Sequence, residues 1–434
     1  MKSSKSALKS FPRVFWVANI MEFFERGAYY GMNSVLAVYL AGKIETGALG
    51  FSKSSVGLLQ SVVYALTYII PIFGGALAER FGYRKALIFA FSLLSFGYFA
   101  TGHMTTYGLV FASLIIMAVG SGSFKPIISG TIARSTDEKN SGLGFGIYYM
   151  MINLGALISP ILVAYLRGFK WSYVFMASSL WCALMLLVSF FLYKDPPKPE
   201  STVNIGKVIS GAILVLKDFR FILMILIYSG FWILYFQMFN TALWYMQSYV
   251  DMTPVNNFMT SIAALFGSSA KIKFDVAYVT SLNAGTIVVL QMFISRIVKN
   301  IKALPVMIAG ICIGTTGFIL LSISSYAWFF IVGIMVFSIG EMTCHPKYYS
   351  YVGLIAPKDK VAVYMGYAFF YGIIGSLIGN NLGANLYVYF VDKLNQPRLL
   401  WMFFSLLGIA TIIGLFFFNK FLAPKTQAEK QANE

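Results

Sequence analysis

Residues 21–31 read MEFFERGAYYG, and they lie inside a segment that is apolar enough to cross a lipid bilayer. The segment carries two acids and one base: Glu22, Glu25 and Arg26. An ionisable side chain at the bilayer centre costs roughly 2.5–3.5 kcal/mol on insertion scales, so three of them need mutual compensation. Helical residues three and four positions apart share a face, so these charges form one polar stripe. The stripe predicts a polar cavity between helices; an internally neutralised helix surface is the alternative.

The whole chain has the composition of a membrane protein. Of its 434 residues, 58% are hydrophobic and only 11% are charged, whereas soluble proteins carry about 25% charged residues. Apolar runs of roughly 20 residues, long enough to cross about 30 Å of hydrocarbon, recur along the chain. We predict an all-α membrane protein with twelve transmembrane helices. The spans lie at about 14–40, 55–79, 85–103, 107–133, 142–167, 171–193, 220–250, 276–296, 303–322, 326–356, 361–391 and 398–421.

The formal net charge of +17 is distributed as a topology signal. Most of the 33 Lys and Arg residues fall in predicted loops on the side of the N-terminus. The positive-inside rule then places both termini in the cytoplasm, as an even number of spans requires. This distribution argues against nucleic-acid binding, because the basic loops are explained by topology and by attraction to anionic lipid.

A Pro-rich, charged stretch at residues 193–202 separates six predicted spans from the other six. Such a stretch is typical of a linker, and two six-helix halves are typical of transporters with a binding site where the halves meet. We predict an N-terminal six-helix bundle at 1–193, a cytoplasmic linker at 194–218, a C-terminal six-helix bundle at 219–421 and a cytoplasmic tail at 422–434.

The longest predicted non-cytoplasmic loop lies near 251–275, and its middle is apolar with helical spacing from Phe258 to Phe266. This spacing predicts a helix in the plane of the membrane surface or a short helix over the mouth of a cavity. Lys271 and Lys273 then mark the return of the chain to the membrane.

Lys125 lies in GSGSFKP, deep in the fourth span, among small residues that let helices approach closely. With Glu22, Glu25 and Arg26 it forms a set that is neutral when all four groups are ionised. Protonation of one Glu leaves a surplus cation, which favours an incoming carboxylate. This links proton binding to anion binding, provided that the first and fourth spans lie together. Snorkelling of Lys125 to a membrane surface is the alternative.

Glu341 lies in the tenth span, the counterpart in the second half of the fourth span. A lone carboxylate there favours a cation such as an ammonium group. His345, one turn further on, has a side chain that titrates near neutrality, but a hydrogen bond between helices is the interpretation we favour. Cationic groups on the first and fourth spans and an anionic group on the tenth predict a clamp for a zwitterion. A chain advances about 3.3–3.6 Å per residue, so the clamp suits only a few residues.

Several stretches resemble known families. Residues 75–85, GALAERFGYRK, resemble the major facilitator superfamily signature Gly-x-x-x-Asp-Arg-x-Gly-x-Arg-Lys, with Glu79 in place of Asp. Residues 22–30 resemble the first-span motif of the proton-dependent oligopeptide transporter family within that superfamily. That motif is Glu-x-x-Glu-Arg-Phe-x-Tyr-Tyr, and Gly27 stands here in place of Phe.

Further resemblances to the same family lie in both halves. Residues 124–126, Phe-Lys-Pro, resemble its fourth-span motif, and residues 145–157 resemble its fifth-span signature. Residues 281–283 resemble the opening of its eighth span. Residues 340–357 resemble its tenth-span pattern, with His345 in place of the usual Ser.

The resemblance implies the major facilitator superfamily fold and a proton-coupled symporter that imports di- and tripeptides by alternating access. It implies a multi-pass protein of the cell (inner) membrane, with small peptides, protons and the lipid bilayer as its partners. Arg26 and Lys125 would face the peptide carboxylate, and Glu341 the peptide amine. The implied proton-coupling residues are Glu22, Glu25 and Lys125, and the implied substrate-binding residues are Arg26, Tyr29, Tyr30, Tyr68, Lys125, Asn153, Asn283 and Glu341.

The sequence departs from the family at two linked positions. Typical members carry a base near the end of the first-span motif and an acid before Gln in the seventh-span segment Phe-Trp-x-x-x-acid-Gln. Here these positions are Asn33 and Phe236. The two charges are expected to be lost together, because either one alone would be buried without its partner. The departure favours a coupling step or a substrate that differs from those of typical members.

Two other functions stay open. One is a proton-coupled carrier of another small organic ion or peptide-like compound, and the other is a non-transporting membrane sensor. We predict no enzyme, no cofactor and no metal site, because neither a nucleophile with its base nor a metal-ligand spacing is evident. Cys182, Cys312 and Cys344 are far apart in predicted spans, which predicts buried, inert thiols.

Overall fold

The computed structural model describes residues 10–137, 140–196, 205–357 and 360–423, and this part of the chain folds into helices without a β-strand. The first half forms six long helices close to the predicted spans. They are α1 (Arg13–Ala41), α2 (Lys53–Phe81), α3 (Tyr83–Thr101), α4 (Tyr107–Arg134), α5 (Ser141–Arg167) and α6 (Trp171–Phe191).

The second half is more divided than predicted. The predicted tail at 422–434 lies outside the described residues except for 422 and 423. The helices are α7 (Ile205–Leu216), α8 (Phe219–Phe236), α9 (Thr241–Tyr249), α10 (Thr253–Leu265), α11 (Tyr278–Val298), α12 (Ala303–Ile323), α13 (Ala327–Ile355), α14 (Val361–Tyr367), α15 (Phe370–Leu386) and α16 (Pro397–Phe417).

The second half differs from the expected pattern in three places. The predicted seventh span ends at α8 and resumes as α9, because the backbone at Asn240 leaves the helical region at φ −143° and ψ −76°. The Asn240 side chain caps α9 by accepting a hydrogen bond from the Thr241 amide at 2.6 Å. The predicted eleventh span is likewise split into α14 and α15. A separate helix, α7, lies within the predicted linker.

Nine helices of the described chain are long and apolar enough to cross a membrane. They include α2, α4, α5, α6, α11, α12, α13, and the longer segments that contain α8 and α16. The first predicted span falls short of this criterion because its polar stripe lowers the hydropathy of α1. The third begins with Arg84 and Lys85, and the eleventh is interrupted. The protein is therefore a multi-pass membrane protein.

The backbone divides into two compact units. The first comprises the described residues up to Ser34, Lys43–Leu49 and Val62–Ser210. The second comprises Val35–Gly42, Gly50–Ser61 and the described residues from Gly211 onward.

The two units repeat one packing pattern. In the first, α3 packs against α4 and α6, and in the second, α12 packs against α13 and α16. Glycines allow the close crossings: a Cβ at Gly97 of α3 would lie 2.8 Å from the Met117 amide nitrogen of α4. A Cβ at Gly310 of α12 would lie 2.7 Å from the Cys344 amide nitrogen of α13. Small residues at helix crossings are typical of membrane bundles, in which packing replaces the hydrophobic effect between helices.

Glycine also brings α1 close to α5 and α6. A Cβ at Gly155 of α5 would lie 2.8 Å from the Phe23 carbonyl oxygen of α1. A Cβ at Gly27 of α1 would lie 2.7 Å from Cζ3 of Trp181 on α6. The Trp181 ring therefore fills the space beside Gly27, which explains why a Phe is absent at this position.

We expect Gly27→Phe to lower the thermal unfolding midpoint, because overpacking a close contact costs roughly 1–3 kcal/mol. Adding Trp181→Ala should recover part of the loss, because it opens the space that the new ring needs. Thermal unfolding in detergent, followed by size-exclusion chromatography, measures both effects. Gly146→Phe is the matched control, since a Cβ at Gly146 meets no atom within 4 Å. Strictly additive losses in the double variant would contradict the packing explanation.

Candidate functional site

The polar stripe of α1 forms a buried ion cluster in the first unit. Glu22, Glu25 and Arg26 are 1%, 0% and 5% exposed. Arg26 Nε lies 3.5 Å from Glu22 Oε1, one helical turn away, and the same guanidinium pairs with Glu25. One base thus neutralises two acids only in part, so the three ionised groups carry a net negative charge.

Ser121 of α4 connects this cluster to the fourth span. The Arg26 guanidinium donates to the Ser121 hydroxyl at 3.2 Å, and that hydroxyl donates to Glu25 Oε1 at 2.8 Å. Both oxygens of Glu25 therefore accept hydrogen bonds. By contrast, Glu22 Oε2 is buried and has no donor in hydrogen-bonding geometry among the described residues.

Lys125 follows Ser121 by four residues on α4, so the two side chains share a face. Its ammonium donates to the Thr67 carbonyl of α2 at 3.4 Å and lies 5.3 Å from the centre of the Tyr68 ring. Within the described residues, Lys125 forms no ion pair within 4.0 Å. The first and fourth spans do lie together, as the charge argument requires, but Lys125 contacts α2 and not an acid.

The remaining predicted residues of the first unit extend the cluster along α1. The Arg26 guanidinium lies 5.0 Å from the centre of the Tyr29 ring, which packs edge-on against Tyr30. Asn33 accepts a hydrogen bond from the Tyr64 hydroxyl at 3.2 Å, so a neutral contact stands where the resemblance predicts a base. Asn153 donates to a carbonyl of its own helix, α5, at 2.8 Å.

Glu341 and Asn283 meet in the second unit. Asn283 Nδ2 of α11 donates to Glu341 Oε2 at 3.0 Å and to the Ser338 hydroxyl of α13 at 2.9 Å. In the described part of the chain, no basic side chain lies within 4.0 Å of the Glu341 carboxylate. An acid that is held by an amide and lacks a protein cation is suited to binding an ammonium group of a ligand.

His345 lies one turn after Glu341, inside a group of aromatic side chains. Its Nδ1 and the Tyr228 hydroxyl of α8 are 3.2 Å apart, which confirms the predicted hydrogen bond between helices. The rings of Trp232, Tyr349 and Tyr371 pack edge-on against it, with centroids 5.0–5.6 Å away.

Phe236 lies at the end of α8, where the chain leaves the helix. It is 3% exposed, and its ring packs against Tyr235. The adjacent Gln237 donates to the Gly379 carbonyl of α15 at 3.0 Å, and Asn240 donates to the Asn380 side chain at 3.1 Å. Neutral amides therefore join α8 to α15 at the point where an acid is absent.

The motif at residues 75–85 forms a turn that is held by other helices. Gly82 has a φ of +95°, which favours glycine over any residue with a side chain. Glu79 forms an ion pair with Arg134 of α4 at 3.0 Å. The Arg84 amide donates to Asp195, beyond α6, at 2.6 Å. The charges of this motif thus fasten the ends of α4 and α6 to the turn between α2 and α3.

Several polar contacts were not predicted from the sequence. Ser121 is in sequence one of several small residues before Lys125, Gln237 carries no predicted contact although it ends the seventh-span motif, and Tyr228 and Asn380 lie in mostly apolar segments. No group of three or more His, Cys, Asp or Glu residues that could hold a metal occurs in the described ranges. Cys182 and Cys344 are buried, but the prediction that Cys312 is buried is wrong, because it lies on the outer face of α12.

Comparisons with known proteins agree with this architecture. The model of the Major Facilitator Superfamily matches residues 16–380 and, in a second match, residues 242–434. The chain is 33% identical over 165 residues to an uncharacterized transporter, YclF, of Bacillus subtilis, over 37% of this chain and 33% of that one. It is 34% identical over 149 residues to a di-/tripeptide transporter of Lactococcus lactis, over 33% of this chain and 30% of that one. The matches thus span about a third of these relatives.

Solved structures share the fold over nearly the full length. A POT family transporter in complex with 5-aminolevulinic acid has a TM-score of 0.76 and 22% identity, covering 95% of this chain and 99% of that chain. A peptide transporter POT in complex with sulfate also has a TM-score of 0.76, with 19% identity and 94% of each chain covered. Taken with the family match over most of the sequence, these findings show that the chain belongs to the major facilitator superfamily.

Proposed function

We propose that this protein is a symporter that imports di- and tripeptides together with protons by alternating access. The observation that carries the proposal is the buried cluster of Glu22, Glu25 and Arg26. An apolar helix surface would hold helices together at lower cost, so buried charge at this depth points to a function. Relatives named dipeptide and tripeptide permease and di-/tripeptide transporter support the same conclusion.

The proposed coupling step begins with a proton on Glu22. Glu25 has both oxygens occupied by donors, whereas Glu22 Oε2 has none in the described residues, so Glu22 is the acid with room for a proton. With Lys125 included, the four charges sum to zero before protonation and to +1 after it. The surplus positive charge then favours the carboxylate of an incoming peptide.

The proposed substrate contacts follow from the charges. Arg26 and Lys125 bind the peptide carboxylate, and Glu341 binds the peptide ammonium group. The side chains proposed to line the pocket are Tyr29, Tyr30, Tyr68, Asn153 and Asn283.

We also propose a topology for the membrane-embedded chain. Both termini lie in the cytoplasm, and two six-helix bundles, 1–193 and 219–421, are joined by a cytoplasmic linker at 194–218. The excess of basic residues in the corresponding loops supports this orientation.

A carrier of another small organic ion is the second candidate, and His345 is the observation that favours it. The imidazole stands where a Ser is usual, one turn from Glu341, and three aromatic rings surround it. Such a group of rings suits a substrate that carries an aromatic or a cationic group. A screen of peptides and peptide-like compounds for thermal stabilisation of the purified protein distinguishes the two candidates.

Uptake of a radiolabelled dipeptide into proteoliposomes tests the proposal. We expect accumulation when the outside is more acidic than the lumen, and we expect a protonophore to abolish it. Flux that is equal with and without the gradient would contradict proton coupling. Binding without any flux would contradict transport itself.

A further inference from the structure

The helix α10 presents an apolar stripe that the described part of the chain leaves largely exposed. Phe258, Ile262, Leu265 and Phe266 are 52%, 41%, 83% and 86% exposed. They occur at positions i, i+4, i+7 and i+8, which is the spacing of one helix face. The helix has 13 residues, too few to cross about 30 Å of hydrocarbon, so its apolar face is not that of a spanning helix and marks a separate interaction surface.

The rest of α10 places this stripe at the boundary of the bilayer. Val255 is 3% exposed and faces the protein, and the Phe258 ring packs edge-on against Trp328 with centroids 5.3 Å apart. Trp328 belongs to the first turn of α13, a 29-residue helix that is long and apolar enough to span the membrane. A contact with the end of a spanning helix lies at the membrane surface, where Trp and Tyr are enriched. Tyr326, which precedes α13, is half exposed.

The segment after α10 folds back along the helix and carries two exposed lysines. Thr260 Oγ1 accepts a hydrogen bond from the Ile272 amide at 3.0 Å, and Asn256 Oδ1 accepts one from the Phe274 amide at 2.6 Å. Lys271 and Lys273 flank Ile272 and are exposed, and neither forms an ion pair within the described residues. The segment that carries both lysines is thereby held against the Asn256 and Thr260 side of α10.

We propose that α10 and residues 266–274 form a lipid-binding anchor in the plane of the membrane surface. The stripe inserts into the boundary between headgroups and acyl chains, and Lys271 and Lys273 bind the phosphates of anionic lipids. A bilayer supplies both an apolar layer and negatively charged headgroups, which suit the stripe and the exposed lysines, and the contact of Phe258 with Trp328 places α10 at its boundary.

An environment-sensitive fluorophore tests the insertion without any need for transport. The full chain with Cys312→Ser keeps only the buried Cys182 and Cys344, so a single label can be attached at Ile262→Cys. Asn257→Cys is the matched control, because it is exposed on the same helix but lies off the stripe. In liposomes of phosphatidylcholine and phosphatidylglycerol, we expect a blue-shifted emission at position 262, quenched several-fold more by brominated lipid than by iodide. The reverse order is expected at position 257.

The lipid charge is tested separately. Lys271→Gln combined with Lys273→Gln should remove most of the difference in emission between liposomes with and without phosphatidylglycerol. Equal quenching by iodide at both label positions would overturn the insertion. An emission that changes with the protein-to-lipid ratio and is not quenched by brominated lipid would overturn the insertion and indicate that a second copy of the chain covers the stripe. A charge response that is unchanged in the lysine variant would overturn the headgroup contacts.

Discussion

Glu22→Gln is expected to abolish uphill, gradient-driven uptake while counterflow exchange of peptide continues. The amide keeps the size of the side chain and its place beside Arg26, but it cannot gain or lose a proton. Net accumulation requires a proton to be carried inward in each cycle. In counterflow exchange the carrier holds peptide in both directions, so no net proton movement is needed. The measurement is peptide accumulation in proteoliposomes under an imposed pH gradient, compared with counterflow in the same preparation.

A surface acid supplies the control for this substitution. Glu45 is exposed in the turn after α1, so Glu45→Gln changes the same chemical group without touching the cluster. It should leave both uphill uptake and counterflow unchanged. Undiminished uphill uptake by Glu22→Gln would remove Glu22 from the coupling step. Loss of counterflow together with uphill uptake would indicate a defect in binding or in folding.

Glu341→Gln is expected to weaken the competition of free peptides for uptake by roughly 10–150-fold, because a hydrogen bond to a charged group contributes about 1.5–3 kcal/mol. Asn283 can still bond to the new amide, so the local hydrogen bonds of α11 and α13 are largely kept. The substitution removes the negative charge of the carboxylate, which attracts the ammonium group of the peptide. Competition against a radiolabelled dipeptide, with a series of peptides, measures the effect.

Blocked peptides make this test specific to one end of the substrate. In the parent protein, acetylation of the peptide amine and amidation of its carboxylate should each weaken competition. In Glu341→Gln, the amine block should have little further effect, while the carboxylate block should keep its full effect. Equal competition by blocked and free peptides in the parent protein would exclude Glu341 and Arg26 from recognition.

The ion cluster shows how far sequence reasoning reaches. The common face of Glu22, Glu25 and Arg26 follows from helix geometry alone, because Glu25 and Arg26 follow Glu22 by three and four positions. The sequence did not predict that Ser121, 95 residues from Arg26, would join the cluster. It also did not predict that Lys125 would contact the Thr67 carbonyl and the Tyr68 ring. Such contacts depend on the rotation and depth of separate helices, which local periodicity does not encode.

The break in the seventh span has the same origin. Residues 221–250 contain no charged side chain, so the sequence predicts one helix. The chain leaves the helix at Asn240 because the amides of Gln237 and Asn240 have partners on α15. In sequence, a polar residue that bonds to another helix and breaks its own helix cannot be told from a polar residue that leaves the helix continuous.

Span length, apolar composition and short motifs are local properties of the chain, so the amino-acid sequence alone predicts the membrane class, most of the spans and the family. It also predicts which residues carry charge inside the membrane. The folded chain shows which of those charges meet, that Trp181 occupies the space beside Gly27, and that His345 bonds to Tyr228. These contacts join residues far apart in sequence and depend on helix packing, and burial leaves no water to satisfy a polar group that lacks such a contact.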